Sequence, residues 1–355
     1  MPRVSDTRVV AYEPLLSPAA LLDELPLDDA GATAVERSRA EIRAVLDGVD
    51  DRLLVVSGPC SVHDPAAALE YAGRLAGLRD QFGADLLIVM RVYFEKPRTV
   101  TGWKGLINDP GMDGSHDVHR GLRLARRLLL DVVRLGLPVG CEWLDPVTPQ
   151  YLADAVTWGA IGARTTESQV HRQMASGMSM PVGFKNGTDG DVQVAVDACR
   201  AAGAGHTFFG VTHAGAAAVV TTSGNRDTHV ILRGGRSGPN YQAEYVTKAL
   251  DLITGAGLPR RVMVDASHGN SGKDHRRQAV VAETLASQVA DGEDGLAGIM
   301  LESFLLAGKQ APGDPARLVY GRSVTDACMD IGTTAESLAA LASAVRSRRG
   351  RSAAH

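Results

Sequence analysis

Residues 86–104 read LLIVMRVYFEKPRTVTGWK: an apolar run, then four cations, Arg91, Lys96, Arg98 and Lys104, set around a short apolar stretch. A run such as LLIVM has no polar face, so it suits a strand buried on both sides, as in a parallel sheet. The charges that follow then stand at the carboxyl end of that strand and on its loop. Forked guanidinium and ammonium groups together neutralise the oxygens of phosphates and carboxylates. The same grammar returns downstream, with Arg164 in IGARTTES, Lys185 in VGFKNGTDG and Arg233 in ILRGGRSGPNY. The pattern points to a phosphorylated organic acid as ligand.

Outward from this stretch, short apolar runs alternate with amphipathic segments from about residue 52. We read eight strands: LLVVS (53–57), LLIVM (86–90), LPVGC (137–141), AIGA (160–163), PVGF (181–184), HTFF (206–209), RVMVD (261–265) and AGIML (297–301). Helices are expected at 65–82, 117–136, 190–203, 242–255 and 274–291. Eight βα units predict a (β/α)8 TIM barrel, with a doubly wound open sheet as the competing reading. AAVVT (217–221) and THVIL (228–232), joined by the turn signal SGNRD, are read as a β-hairpin inserted after strand 6, over about 211–232. The expected organisation is an N-terminal extension (1–50), the barrel (51–347) and a disordered tail (348–355).

The barrel reading makes the charges coincide. Arg91, Glu142, Arg164, Lys185 and Glu302 all fall at the carboxyl ends of strands, the rim where such barrels place their sites. A surface ion pair explains any one of them, but not five at one rim.

Bulk properties bound the function. The chain has 355 residues, 45 % hydrophobic and 22 % charged, with a net charge of −4. That balance argues against nucleic acid as a partner. No stretch approaches the ~20 apolar residues of a membrane span, and the N-terminus lacks a signal peptide's apolar core. Four cysteines make no disulfide scaffold, so a cytoplasmic protein with reduced thiols is expected.

A metal site is a further candidate. Cys60 in SGPCSVHDP, His268 in VDASHGNSGK, Glu302 and Asp326 in SVTDAC offer a thiolate, an imidazole and two carboxylates to a divalent transition ion. No two are close in sequence, and a lone His or Cys is more often a structural residue. Only their strand-end placement favours ligation. The glycine-rich turns GFKNGTDG and RGGRSGP suit close approach to a phosphate, and equally suit a plain tight turn.

Taken together, GPCSVHDP, MRVYFEKPRTVTGWKGLINDP, GARTTESQVHR, GFKNGTDG, HVILRGG, ASHGNSGKDHRRQ and YGRSVTDAC resemble the type I family of 3-deoxy-D-arabino-heptulosonate 7-phosphate (DAHP) synthases, over roughly residues 15–330. The resemblance implies condensation of phosphoenolpyruvate with erythrose 4-phosphate and water, giving DAHP and phosphate, the opening step of the shikimate pathway. By motif match, Arg91, Arg164, Lys185 and Arg233 would hold phosphoenolpyruvate, while Lys96, Arg98 and Thr99 would meet erythrose 4-phosphate. Cys60, His268, Glu302 and Asp326 would hold one divalent metal ion, Mn2+, Fe2+, Co2+ or Zn2+. Lys96, Glu142, Lys185 and His268 would handle protons.

The family further implies a homodimer or homotetramer and a feedback site for an aromatic amino acid, built on the N-terminal arm, the hairpin and nearby loops. The matching positions are Pro149, Gln150, Met178, Ser179, Phe208, Gly210 and Val220. Gly210 in FFGVTHAG resembles the tyrosine-sensitive class, so tyrosine is the expected inhibitor. If the barrel mouth brings Cys328, two residues past Asp326, near Cys60, oxidation would join them and destroy the metal site. Two other readings compete: a related synthase joining phosphoenolpyruvate to another aldose phosphate, and a non-catalytic barrel regulating chorismate mutase. KPRT followed by GWKG favours erythrose 4-phosphate, and the full set of cations and ligands favours catalysis.

Overall fold

Continuous apolar runs bury both faces, and in the computed structural model, described over residues 4–98 and 100–352, they do so by closing into a barrel. Its strands are β1 (Leu53–Gly58), β2 (Leu86–Arg91), β3 (Val139–Glu142), β4 (Trp158–Ile161), β5 (Val182–Lys185), β6 (Thr228–Leu232), β7 (Val262–Asp265) and β8 (Leu296–Phe304). Each pairs in parallel with the next, and β8 pairs with β1 to complete the ring. Helices lie between most strands, as in Pro65–Phe82 and Val118–Arg134. The (β/α)8 barrel stands and the open sheet does not.

Two expectations need correction. HTFF is not a barrel strand. Thr207–Val211 pairs antiparallel with Ala217–Thr221, and this ribbon leaves the barrel between β5 and β6. THVIL is β6 itself, paired with β5 and β7. The inserted hairpin is therefore 207–221, before the sixth strand, and not 211–232 after it. Burial gives the reason: β6 is buried at all five positions, as a parallel strand must be, whereas the ribbon alternates and leaves Phe209 93 % exposed.

The second correction concerns the tail. The last helix, Ile331–Ser352, runs through most of it. Arg349 reaches Asp51 and Asp85 at 2.6 Å each, and Arg346 also pairs with Asp85, so this basic end is tied to the amino-terminal side of the barrel. Residues 353–355 of the expected tail and 1–3 of the arm lie outside the described residues.

The barrel interior is filled by side chains. Leu54, Val56, Leu87, Val89, Trp158, Ile231, Met263 and Met300 pack together there. Ile42, Val45 and Leu46 of helix Asp29–Leu46 join the same cluster, so this helix plugs the amino-terminal mouth. Gly140 makes room, since a Cβ there would lie 3.0 Å from the Trp158 ring.

His229 sits in this floor, fully enclosed, its Nε2 accepting a 3.3 Å hydrogen bond from Trp158 Nε1. Burial pushes its pKa down to about 3. The unfolded chain takes up that proton near pH 6.5, so the stabilising neutral form is fully present above pH 6.5 and its contribution falls as pH drops toward 3. We expect about 2 kcal/mol less stability at pH 5 than at pH 7 from this residue alone. Urea unfolding at both pH values should show that loss shrink in His229→Gln.

Candidate active site

The carboxyl rim gathers what the sequence scattered. β1 ends ahead of Cys60, and β8 carries Glu302; both side chains are fully buried at the floor. Asp326 comes from the loop beyond β8. One ligand atom from each of these three lies within 4.8 Å of the others. His268, after β7, faces them: its Nε2 is 3.8 Å from Glu302 Oε1. His268 Nδ1 lies 2.9 Å from Asp265 Oδ2, close enough for charge pairing but not aligned as a hydrogen bond. His268 adopts a left-handed backbone (φ 53°), a conformation costly for a non-glycine residue and concentrated at functional sites.

This donor set fits a transition ion. A thiol and two carboxyl groups packed so closely can all ionise only when a cation lies between them. Burial and the Glu302 charge both push the Cys60 thiol up, so its thiolate needs a cation for stability. Burial alone would also raise Glu302, but His268, Arg91 and Lys96 outweigh it and hold the carboxyl at about 2. Cys328 is adjacent, its Sγ accepting a 3.3 Å hydrogen bond from the Cys60 amide.

Arg91 is 1 % exposed and pins the floor. Its guanidinium donates to Pro59 O and Cys60 O (3.1 Å each) and to Glu302 Oε1 (2.9 Å), and it stacks 3.5 Å over the Tyr93 ring. Lys96 Nζ donates to Cys60 O at 3.0 Å and lies 3.2 Å from its sulfur. Arg98 is fixed by a 2.7 Å bond to Trp103 O, within a loop closed by Lys96 N–H on Lys104 O (2.8 Å). Thr99 lies outside the described residues.

Across the mouth, Lys185 Nζ donates to Asp265 Oδ2 at 2.7 Å. Arg233 is held by its amide on Asn186 Oδ1, also at 2.7 Å. Arg91, Lys96, Arg98, Glu142, Arg164, Lys185, Arg233, His268 and Asp326 thus line one cavity of about 300 Å³. Gly162 lets Glu142 into it, since a Cβ there would sit 2.2 Å from Glu142 Oε1. Glu302 and Cys60 lie just beneath.

The model for the family described as the DAHP synthetase I family matches residues 31–339. The chain belongs to the DAHP synthetase I family. It is 58 % identical over 353 residues to a phospho-2-dehydro-3-deoxyheptonate aldolase of Corynebacterium glutamicum, covering 97 % of this chain and 95 % of that one. It is 54 % identical over 345 residues to the Phe-sensitive phospho-2-dehydro-3-deoxyheptonate aldolase of Escherichia coli, covering 97 % and 98 %. The solved structure of the Francisella tularensis phospho-2-dehydro-3-deoxyheptonate aldolase superposes with a TM-score of 0.94 at 49 % identity, over 96 % of this chain and 99 % of that one. By family, the chain is a DAHP synthase enzyme.

Within this DAHP synthetase I fold, sequence reading missed several supporting residues. Asp265 bridges Lys185 and His268. Ser267 Oγ donates to Glu302 Oε2 at 2.9 Å, and Gln278 brackets the Glu302 backbone with bonds of 2.8 and 3.1 Å. Asp265 left a signal, a carboxylate closing the apolar run RVMVD. Ser267 and Gln278 left none.

The expected effector positions fall outside the cavity. Phe208, Gly210 and Val220 share the half-buried face of the ribbon, with Phe208 opposite Val220. The ribbon's base meets the end of helix Gln169–Ser176 through Ser176 Oγ and Thr222 Oγ1 at 2.6 Å, just before half-buried Met178 and exposed Ser179. Pro149 and Gln150 open a separate short helix, Pro149–Leu152. A Cβ at Gly210 would lie 2.7 Å from Val220 Cγ2. Among the described residues no helix is long and apolar enough to cross a membrane.

Proposed function

We propose that the protein catalyses the metal-dependent condensation of phosphoenolpyruvate with erythrose 4-phosphate and water, giving DAHP and inorganic phosphate. The observation that carries this reading is one cavity in which a thiol–carboxylate cluster adjoins two separate groups of cations. Arg164, Lys185 and Arg233 on one side suit the phosphate of phosphoenolpyruvate, and Arg91 suits its carboxylate. Lys96 and Arg98, on the loop after β2, suit the aldose phosphate. The ordered loops hold both reactants in one place, which converts a bimolecular step into an effectively unimolecular one.

Cys60, His268, Glu302 and Asp326 would hold one divalent transition ion, Mn2+, Fe2+, Co2+ or Zn2+. Bound there, such an ion supplies Lewis acidity to the aldehyde carbonyl. Lys96 stands at the aldehyde end to deliver a proton to the alkoxide formed when the enol carbon attacks. Glu142 and Lys185 face the phosphate-bearing carbon, where water adds before phosphate leaves. Asp265 holds Lys185 and His268 in place through one carboxylate oxygen. His268 serves chiefly as a ligand and also stands within reach of proton transfer.

Purified protein with Mn2+ should release phosphate from phosphoenolpyruvate only when erythrose 4-phosphate is added. Equal release with another aldose phosphate, or none with any, would overturn the assignment.

We also propose feedback inhibition by an aromatic amino acid, tyrosine foremost, at the ribbon and its neighbours Pro149, Gln150, Met178 and Ser179. Glycine at 210 lets Val220 close over the ribbon, and a serine there would displace it. Half-maximal inhibition is expected at a lower concentration of tyrosine than of phenylalanine or tryptophan, and Gly210→Ser should reverse that order. The exposed Val10, Tyr12, Phe209 and Val219 support subunit contacts in a homodimer or homotetramer, and the family membership supports a cytoplasmic location.

A further inference from the structure

A second cavity, of about 680 Å³, opens beside the first and shares Arg164, Thr188, Arg233, His268 and Lys273 with it. Its outer wall adds Arg236 from the loop after β6 and Arg277 from the start of helix Arg277–Ala290. Five cations therefore face this vestibule, and no carboxylate lines it. Among the described residues, Arg164, Arg236, Lys273 and Arg277 form no ion pair, whereas the neighbouring Arg276 is paired with Asp274 at 2.9 Å. Unneutralised cations repel one another, and an anion between them relieves that repulsion.

The loops after β6 and β7 are pressed together so tightly that only glycine fits. A Cβ at Gly234 would lie 2.5 Å from the Gly269 carbonyl carbon, and one at Gly269 would lie 2.7 Å from the Gly235 amide nitrogen. Lys273 is held in a left-handed backbone (φ 63°), fixed by its amide on His268 O at 2.9 Å. The RGGRSGP and HGNSGK turns thus form a clamped wall, not loose ends. The aldose loop follows β2, four strands from β6 in the eight-stranded ring, and the outer wall formed by Arg236 and Arg277 does not line the cavity that holds Arg98.

We propose that this vestibule is a phosphate-binding exit site, taking the inorganic phosphate released at Arg164, Lys185 and Arg233. The inference rests on the condensation reading for its source of phosphate. Arg236 and Arg277, outside the cavity that Arg98 lines, separate this outer wall from the phosphate of the aldose. Phosphate passing from one set of cations to the next, into a vestibule that no carboxylate lines, leaves the reaction centre without returning past the newly formed product.

The test is isothermal titration of inorganic phosphate into Mn2+-loaded protein saturated with phosphoenolpyruvate, without aldose phosphate, at fixed ionic strength. We expect wild-type protein to bind phosphate under these conditions, and Arg236→Gln/Arg277→Gln to weaken that binding at least tenfold. Both arginines are exposed, and an unchanged melting temperature would confirm that the double variant is folded. In turnover, inhibition by added phosphate should weaken in parallel. Absence of phosphate binding to the saturated protein, or equal binding by wild type and variant, would overturn the proposal. So would a raised KM for erythrose 4-phosphate with phosphate affinity unmoved, which would give the vestibule to the aldose. Because binding is read without turnover, its failure leaves the condensation assay standing, and failure of that assay leaves the binding result intact.

Discussion

Replacing Asp265 with asparagine is expected to lower kcat by about 100-fold and to weaken metal binding by about 10- to 100-fold, the range seen when a carboxylate behind a metal-ligating histidine is removed. Asp265 is fully buried, and one oxygen serves both Lys185 (2.7 Å) and His268 (2.9 Å). Burial alone would raise its pKa, but Lys185 and His268 override that and hold it well below the carboxylate range. Asparagine can keep the other contact, the 2.9 Å bond from the Ser267 amide. It cannot supply the charge, and its NH₂ group would confront the Lys185 ammonium. A buried ammonium without a counter-charge costs several kcal/mol, so Lys185 would lose its proton or leave its place. Both the KM for phosphoenolpyruvate and the Mn2+ requirement should therefore rise. Steady-state kinetics over a Mn2+ titration measures this, and changes under threefold would show that Asp265 is only filler.

Arg91→Lys is the second large effect. The substitution keeps the charge and loses the fork. Arg91 holds Pro59 O, Cys60 O and Glu302 at once, and its flat face lies on Tyr93. Lysine can satisfy one or two of these, and cannot stack in the same way. Two lost charge-assisted hydrogen bonds at about 1.5–3 kcal/mol each correspond to roughly a thousandfold in kcat/KM. The same loss should show as a lower midpoint in urea unfolding, because these bonds tie β1, β2 and β8 together. A variant within tenfold of wild type in kcat/KM would mean that Arg91 is a supporting charge, not the pin of the floor.

The fold was legible where burial is uniform. LLVVS, LLIVM and most of RVMVD fall in parallel strands as read, because a strand covered on both faces is built mainly of apolar residues. The misreading of HTFF and THVIL follows from the same rule applied unevenly. THVIL is the continuous apolar run and became β6, while HTFFGV exposes every second side chain and pairs only with Ala217–Thr221. Counting eight runs gave the right number with one wrong member. The basic tail misled for another reason: RSRRGRS is polar on all sides, yet Asp51 and Asp85 give its arginines partners that no local pattern announces.

The candidate site was legible because strand ends converge in a barrel. Arg91, Glu142, Arg164, Lys185 and Arg233 each close or follow a strand, so topology alone brings them to one cavity. Cys60, Glu302 and Asp326 meet for the same reason, although no spacing links them. What stayed hidden was support: Ser267 and Gln278 act through hydrogen bonds to Glu302, and nothing in their sequence context marks them. The vestibule stayed hidden as well, since its cations stand on two loops whose contact depends on Gly234, Gly235 and Gly269.

The most direct measurement is the rate of erythrose 4-phosphate-dependent phosphate release by protein stripped with a chelator and then titrated with Mn2+. The account predicts a rate near zero after stripping, recovery at one equivalent per chain, and no recovery at that level in Cys60→Ala. An undiminished rate in thoroughly stripped protein would contradict it.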